Sequence, residues 1–123
     1  MFRAAHIPNL KIKTFYKMIK SEIFADAVRA VCEVTEMSVT EIMSRSRSEE
    51  VVDARYLLVS ELRREGYYPS MIARRMRLTS RAVRQIIAGF DSRASRSPGL
   101  ALCRRRLEGM RKQSGDMREA TGN

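Results

Sequence analysis

The residue types between Thr79 and Ala88 are suited to reading nucleic acid. If Thr79-Ser80-Arg81-Ala82-Val83-Arg84-Gln85-Ile86-Ile87-Ala88 is helical, Ser80, Arg81, Arg84, Gln85 and Ala88 fall on its outer side and Val83 with Ile86 on the inner. A guanidinium forks onto guanine O6 and N7, a carboxamide pairs with adenine N6 and N7, and a hydroxyl near a helix N-terminus holds a phosphate. Arg81, Arg84 and Gln85 are therefore candidates to read base edges in a major groove, with Thr79 or Ser80 on a phosphate. Arg74 and Arg75, one element upstream, fall near the backbone of the same duplex. Any amphipathic helix of a basic protein exposes arginines, so these positions gain meaning only from the elements that present them.

Those elements follow a definite pattern. A helix-turn-helix needs a small residue midway in its first helix, apolar residues packing the pair, and a tight turn between. Ala73 supplies the small residue, Ile72, Met76, Val83 and Ile86 the packing, and Leu78 a plug for the turn. The spacing predicts a helix over Ser70 to Met76 and a second from about Thr79 to Phe90, with Thr79 as its cap. Arg77 falls at the turn position where glycine is common because a positive φ costs it little.

Upstream, Phe15, Ile19, Ile23, Ala27, Ala30 and Val34 keep helical spacing, which predicts a first helix from Thr14 to Val34. Ser38-Val39-Thr40-Glu41 has the form of a capping box opening a short helix that ends near Ser44. A basic loop, Ser44-Arg45-Ser46-Arg47-Ser48, follows. From Glu49 to Glu65 the stripe Val51, Ala54, Leu58, Leu62 is widened by Val52, Tyr56 and Val59, so this helix is expected to be central and much buried before Gly66 ends it. No stretch alternates like a strand, and the expected fold is an all-α small helical bundle. Its expected divisions are a basic segment or helix extension at 1–20, the helix-turn-helix domain at 21–91, a linker at 92–99, an amphipathic basic helix at 100–112 and a disordered tail at 113–123.

Charge is distributed to match. The chain of 123 residues carries 24 Lys and Arg against 14 Asp and Glu, a net charge of +10, and 19 of the 24 cations are Arg. Arg is the cation suited to phosphate and guanine, so a polyanion is the first partner to test. Residues 21–44 are net −4 whereas residues 45–90 are net +5, which suggests one face for phosphate and one turned away. Cys32, Cys103 and the single histidine, His6, give no zinc-ligand spacing and no disulfide framework, and both thiols are expected to be buried. No glycine-flanked Lys-Ser/Thr run forms a phosphate loop, and no nucleophile accompanies His6, so neither catalysis nor a cofactor or metal is expected. Without an apolar run of ~20 residues or a signal-peptide pattern, a cytoplasmic, nucleoid-associated protein with no membrane partner is expected.

Ala27 to Phe90 resembles the C-terminal DNA-binding domain (domain IV) of the bacterial replication initiator DnaA, a Trp-repressor-like fold, without that protein's ATPase module. The resemblance rests on Val34-Thr35-Glu36-Met37-Ser38-Val39-Thr40-Glu41-Ile42-Met43-Ser44-Arg45-Ser46-Arg47-Ser48-Glu49-Glu50-Val51-Val52-Asp53-Ala54-Arg55, similar in order and spacing to the family's short capped helix, basic loop and start of the long helix. It implies that Arg45, Arg47 and Arg55 approach phosphates and an A·T-rich minor groove, Arg55 most directly. Two departures stand beside it. The family opens its recognition helix with a Gly-Gly-Arg-Asp-His-Thr-Thr-type signature where this chain has Arg77-Leu78-Thr79-Ser80-Arg81-Ala82, one residue shorter, and Ala54 stands where proline is usual. The family's own DNA box is therefore not the expected target.

The leading expectation is a stand-alone double-stranded DNA-binding protein acting in transcription regulation or on replication or mobile-element DNA, as a monomer or a homodimer, with no small-molecule substrate. Two alternatives stay open. One is a protein-interaction module of the same fold that has lost sequence-specific DNA binding, and the other is a binder of structured RNA, for which a stacking set of aromatics is lacking.

Overall fold

A computed structural model describes residues 21–122, with side chains described through residue 113. The expected segment 1–20, including the predicted helix start at Thr14, lies outside the described residues, as does Asn123. Within them the chain winds into α1 (residues 21–35), α2 (Val39–Ile42), α3 (Glu49–Arg64), α4 (Pro69–Met76), α5 (Ser80–Arg96) and α6 (Pro98–Gly122), with no strand among the described residues. The all-α class follows from this.

Packing is organised by α3. Its Leu57, Leu58, Val59 and Leu62 are at most 2% exposed, and Val51 and Ala54 are buried as well, so the helix is covered on more than one side. α2, α4, α5 and α6 all pack against it, and Ala27, Val28, Val31 and Val34 of α1 join the same core. Each fully buried aliphatic side chain of this kind contributes about 1.5–3 kcal/mol by leaving water.

The caps are those the sequence predicts. Ser38 accepts from the Glu41 amide at 3.1 Å while Glu41 accepts from the Ser38 amide at 3.3 Å, closing the capping box of α2. Gly66 takes φ +96° just past α3, a left-handed conformation that glycine adopts without a Cβ penalty. Pro69 opens α4, where its missing N–H costs nothing.

The expected linker at 92–99 is corrected. α5 continues to Arg96, and only Ser97 separates it from α6. Ser and Arg there are the solvent face of a helix rather than a loop, and the sharp corner falls at Ser97-Pro98, where proline holds the residue before it in an extended conformation (φ −113°, ψ 104°). Ser97 then serves both sides of the corner: its hydroxyl accepts from the Leu100 amide at 3.2 Å and donates to Asp53 Oδ2 at 2.7 Å. α6 is also longer than expected, helical to Gly122 where the sequence reading ends it at 112. Arg, Lys, Gln, Met, Glu and Ala between 111 and 120 are good helix formers and outweigh the single Gly115.

Two carboxylates of α3 hold this corner and α6 in place. Asp53 takes Arg93 Nε at 2.6 Å in addition to Ser97, and the Arg93 guanidinium stacks 5.0 Å from the Tyr56 ring. Glu61, only 5% exposed, accepts from Arg111 Nη1 through both oxygens at 2.5 and 2.6 Å and lies 3.5 Å from Arg64. Leu100 and Leu107 of α6 are buried beside them. Arg111→Ala leaves Glu61 with Arg64 alone. Breaking a fully buried pair costs about 3–5 kcal/mol, and the remaining, partly exposed Arg64 reduces this to about 2 kcal/mol, to be read from the shift in urea midpoint at unchanged slope.

Candidate nucleic-acid interface

The candidate site is built by a loop and a turn. The 44–48 loop alternates serine and arginine, and the structure gives each parity its own job. Ser44 Oγ donates to the Glu41 carbonyl at 2.6 Å and accepts from the Ser46 amide at 3.3 Å, and Ser46 Oγ in turn accepts from the Ser48 amide at 3.3 Å. The serines thus hold the loop in shape, while Arg45 and Arg47 are exposed and make no hydrogen bond or ion pair among the described residues.

Arg55 closes the loop from below. Its Nε donates to the Ile42 carbonyl at 3.0 Å, and its Nη2 donates to the carbonyls of Ser44 and, at 2.8 Å, Ser46. Burial lowers the guanidinium's pKa from its ordinary value. Three carbonyl dipoles surround the charge, which fits a partly buried cation that stays ionised. The residue that the initiator resemblance marks for a minor groove is here committed to its own backbone.

The turn between α4 and α5 is Arg77-Leu78-Thr79. Arg77 has φ 57°, ψ 41°, a left-handed conformation, and its amide and that of Leu78 both donate to the Ala73 carbonyl, the latter at 2.9 Å. Thr79 caps α5 by accepting from the Ala82 amide at 3.0 Å. Val83 is fully buried and Ile86 and Ile87 are half-buried, which turns Arg81, Arg84, Gln85 and Ala88 outward, with Thr79 exposed and Ser80 half-buried at the helix start. Loop and turn meet: Ser44, Arg45, Arg55, Met76, Arg77 and Leu78 line one cavity of about 240 Å³ whose walls contain no acid.

No family model, characterised protein or solved structure matches the chain. The site is therefore described by its own geometry.

That geometry sorts the arginines. Arg75 lies over the rings of Phe24 and Tyr67, 5.2 and 5.8 Å from their centroids, so it braces α4 against α1 and is not free for a ligand. Arg93, Arg104 and Arg111 pair with acids, Arg55 with carbonyls, and Arg63 donates to the Tyr67 carbonyl at 3.5 Å. Arg45, Arg47, Arg74, Arg77, Arg81 and Arg84 are exposed and have no partner among the described residues. Of the ten positions proposed from sequence, three are engaged internally, Thr79 as the cap of α5 and Arg55 and Arg75 as braces, and the side chains of the other seven have no partner among the described residues. Arg77 is the position that sequence reasoning passed over as a turn residue; the signal was a bulky cation where glycine would cost less.

The remaining chemistry is sparse. Cys32 and Cys103 are half-buried rather than fully buried, and burial raises both thiol pKa values, which keeps them protonated near neutral pH. Among the described residues no group of three or more His, Cys, Asp or Glu is placed to hold a metal ion, and no described helix is long and apolar enough to cross a membrane.

The strain at Arg77 gives a stability prediction. An L-residue in the left-handed region costs about 1–2 kcal/mol, and glycine gives back roughly 0.4–1 kcal/mol through the unfolded chain. Because the Arg77 side chain holds no partner, Arg77→Gly is expected to stabilise the fold, by up to about 1 kcal/mol, measured as a rise in Tm.

Proposed function

We propose that the chain is a double-stranded DNA-binding protein, not an enzyme, that uses α4, the turn and α5 as a helix-turn-helix. Arg81, Arg84 and Gln85 of α5 read base edges in the major groove, with Thr79 and Ser80 near a phosphate at the helix start. Arg47 of the loop and Arg74 of α4 sit on the backbone. The observation that carries this reading is a cluster of arginines: six exposed, unpartnered guanidiniums fall on the loop, the end of α4, the turn and the first turns of α5, with two more, Arg105 and Arg106, on α6.

The reading is in keeping with the resemblance to the DNA-binding domain of the DnaA initiator in the order of short capped helix, basic loop, long helix and helix pair. It differs in the minor-groove assignment, since Arg55 is engaged by the carbonyls of Ile42, Ser44 and Ser46. A role in transcription regulation or in replication or mobile-element DNA, and a place on the nucleoid, belong to the same proposal.

Fluorescence anisotropy of the full chain over a salt series, against random duplexes, an initiator-box duplex and a selected pool, tests it. A selected sequence is expected to beat random DNA by about a thousandfold. Arg81→Ala or Arg84→Ala is expected to cost about 1–3 kcal/mol and relax the preference at one position. Arg47→Ala is expected to weaken all duplexes alike and lower the salt slope by ~1. Equal, small losses for all three variants would move the reading to a protein-interaction module that keeps the fold without reading sequence.

A further inference from the structure

The cavity between the 44–48 loop and the α4–α5 turn is assigned no role by a helix-turn-helix reading, which concerns the outer side of α5. Three cations, Arg45, Arg55 and Arg77, line its 240 Å³, and no Asp or Glu does. Nothing among the described residues neutralises Arg45 or Arg77. Arg77 stands in the left-handed region at φ 57°, where glycine would relieve the strain. The carbonyls on either side of Arg45, those of Ser44 and Ser46, are held by the one guanidinium of Arg55. Backbone strain and uncompensated cations that persist at one cavity are expected where a ligand repays them.

We infer that this cavity seats one phosphate group, held by Arg45 from the loop and Arg77 from the turn, with Arg55 as the positioning residue that fixes the loop. Under the DNA-binding reading above, on which this rests, the group is a single phosphodiester of the backbone gripped between two elements that lie far apart in sequence. A forked donor on each side suits a tetrahedral anion, whereas an amine or a neutral ligand finds no acceptor side chain other than Ser44 in the lining. Free inorganic phosphate shares the chemistry and serves as the probe.

Two measurements on the full chain test the seat. In the first, inorganic phosphate is titrated while backbone amide resonances are followed. The expected result is a saturable shift concentrated at Ser44, Arg45, Arg77 and Leu78, weakened at least about tenfold in Arg77→Gly. That variant is predicted above to be no less stable than the wild type, so its loss of binding is not a loss of fold. In the second, duplex binding is compared over a salt series for Arg45→Ala, Arg77→Gly and the pair together. Because the slope counts phosphates neutralised, two arginines on one phosphate lower it by ~1 in total, and their effects on affinity are not additive. A combined loss of ~2 with additive effects, or phosphate shifts that do not saturate, would overturn the shared seat while leaving DNA binding intact. Saturable phosphate binding that Arg77→Gly abolishes, in a chain that binds no duplex, would keep the seat and remove the DNA reading instead.

Discussion

One helix buried on several sides sets the terms for every other element. α3 places Leu57, Leu58, Val59 and Leu62 in the core within six residues, and a helix so broadly apolar must be covered by neighbours all round. It also carries Asp53 and Glu61, whose charges require partners once those neighbours exclude water. Arg93 and Ser97 answer the first and Arg111 the second. The same helix supplies Arg55, which meets the opposite need by giving a cation to carbonyls that the loop leaves over. α3 is thus both the core of the bundle and the source of three polar side chains, Asp53, Arg55 and Glu61, that fix the α5–α6 corner, the basic loop and α6.

Much of this was legible because it is local. The capping box at Ser38, the glycine stop at Gly66, the proline start at Pro69 and the spacing of Ile72, Ala73, Met76, Val83 and Ile86 are all decided within a few residues, and the helices they bound lie where the spacing puts them. Outward positions on α5 follow from the same periodicity. The parts that escaped are decided at long range. Ser92 to Ser97 reads as a polar linker until Asp53, 40 and 44 positions earlier in the chain, is seen to hold Arg93 and Ser97. Arg55 and Arg75 look as free in the sequence as Arg81 and Arg84, and only the carbonyls of the loop and the rings of Phe24 and Tyr67 distinguish them. A guanidinium serves equally well as ligand-binding group and as internal brace, so residue type alone cannot sort the two.

Arg77 is a place where local preference and observed structure disagree. The turn favours glycine, and the chain keeps an arginine whose side chain has no hydrogen bond, ion pair or ring contact among the described residues. The loop shows the complementary case, where strict alternation of serine and arginine satisfies the backbone with one set of side chains and leaves the other set unspent. The two features set Arg45 and Arg77 at the same cavity.

The pairing of α3 acids with α5 and α6 arginines has a consequence for motion as well as for packing. Asp53 and Glu61 are each neutralised inside the bundle by an arginine from another helix, and the chain as a whole keeps a net charge of +10. A net cation is drawn toward a polyanion before any contact forms, so diffusive encounters are more frequent than for a neutral body of the same size. Attraction of this kind raises the rate of association, fades as salt shortens the reach of the field, and leaves the lifetime of the finished complex to the short-range contacts.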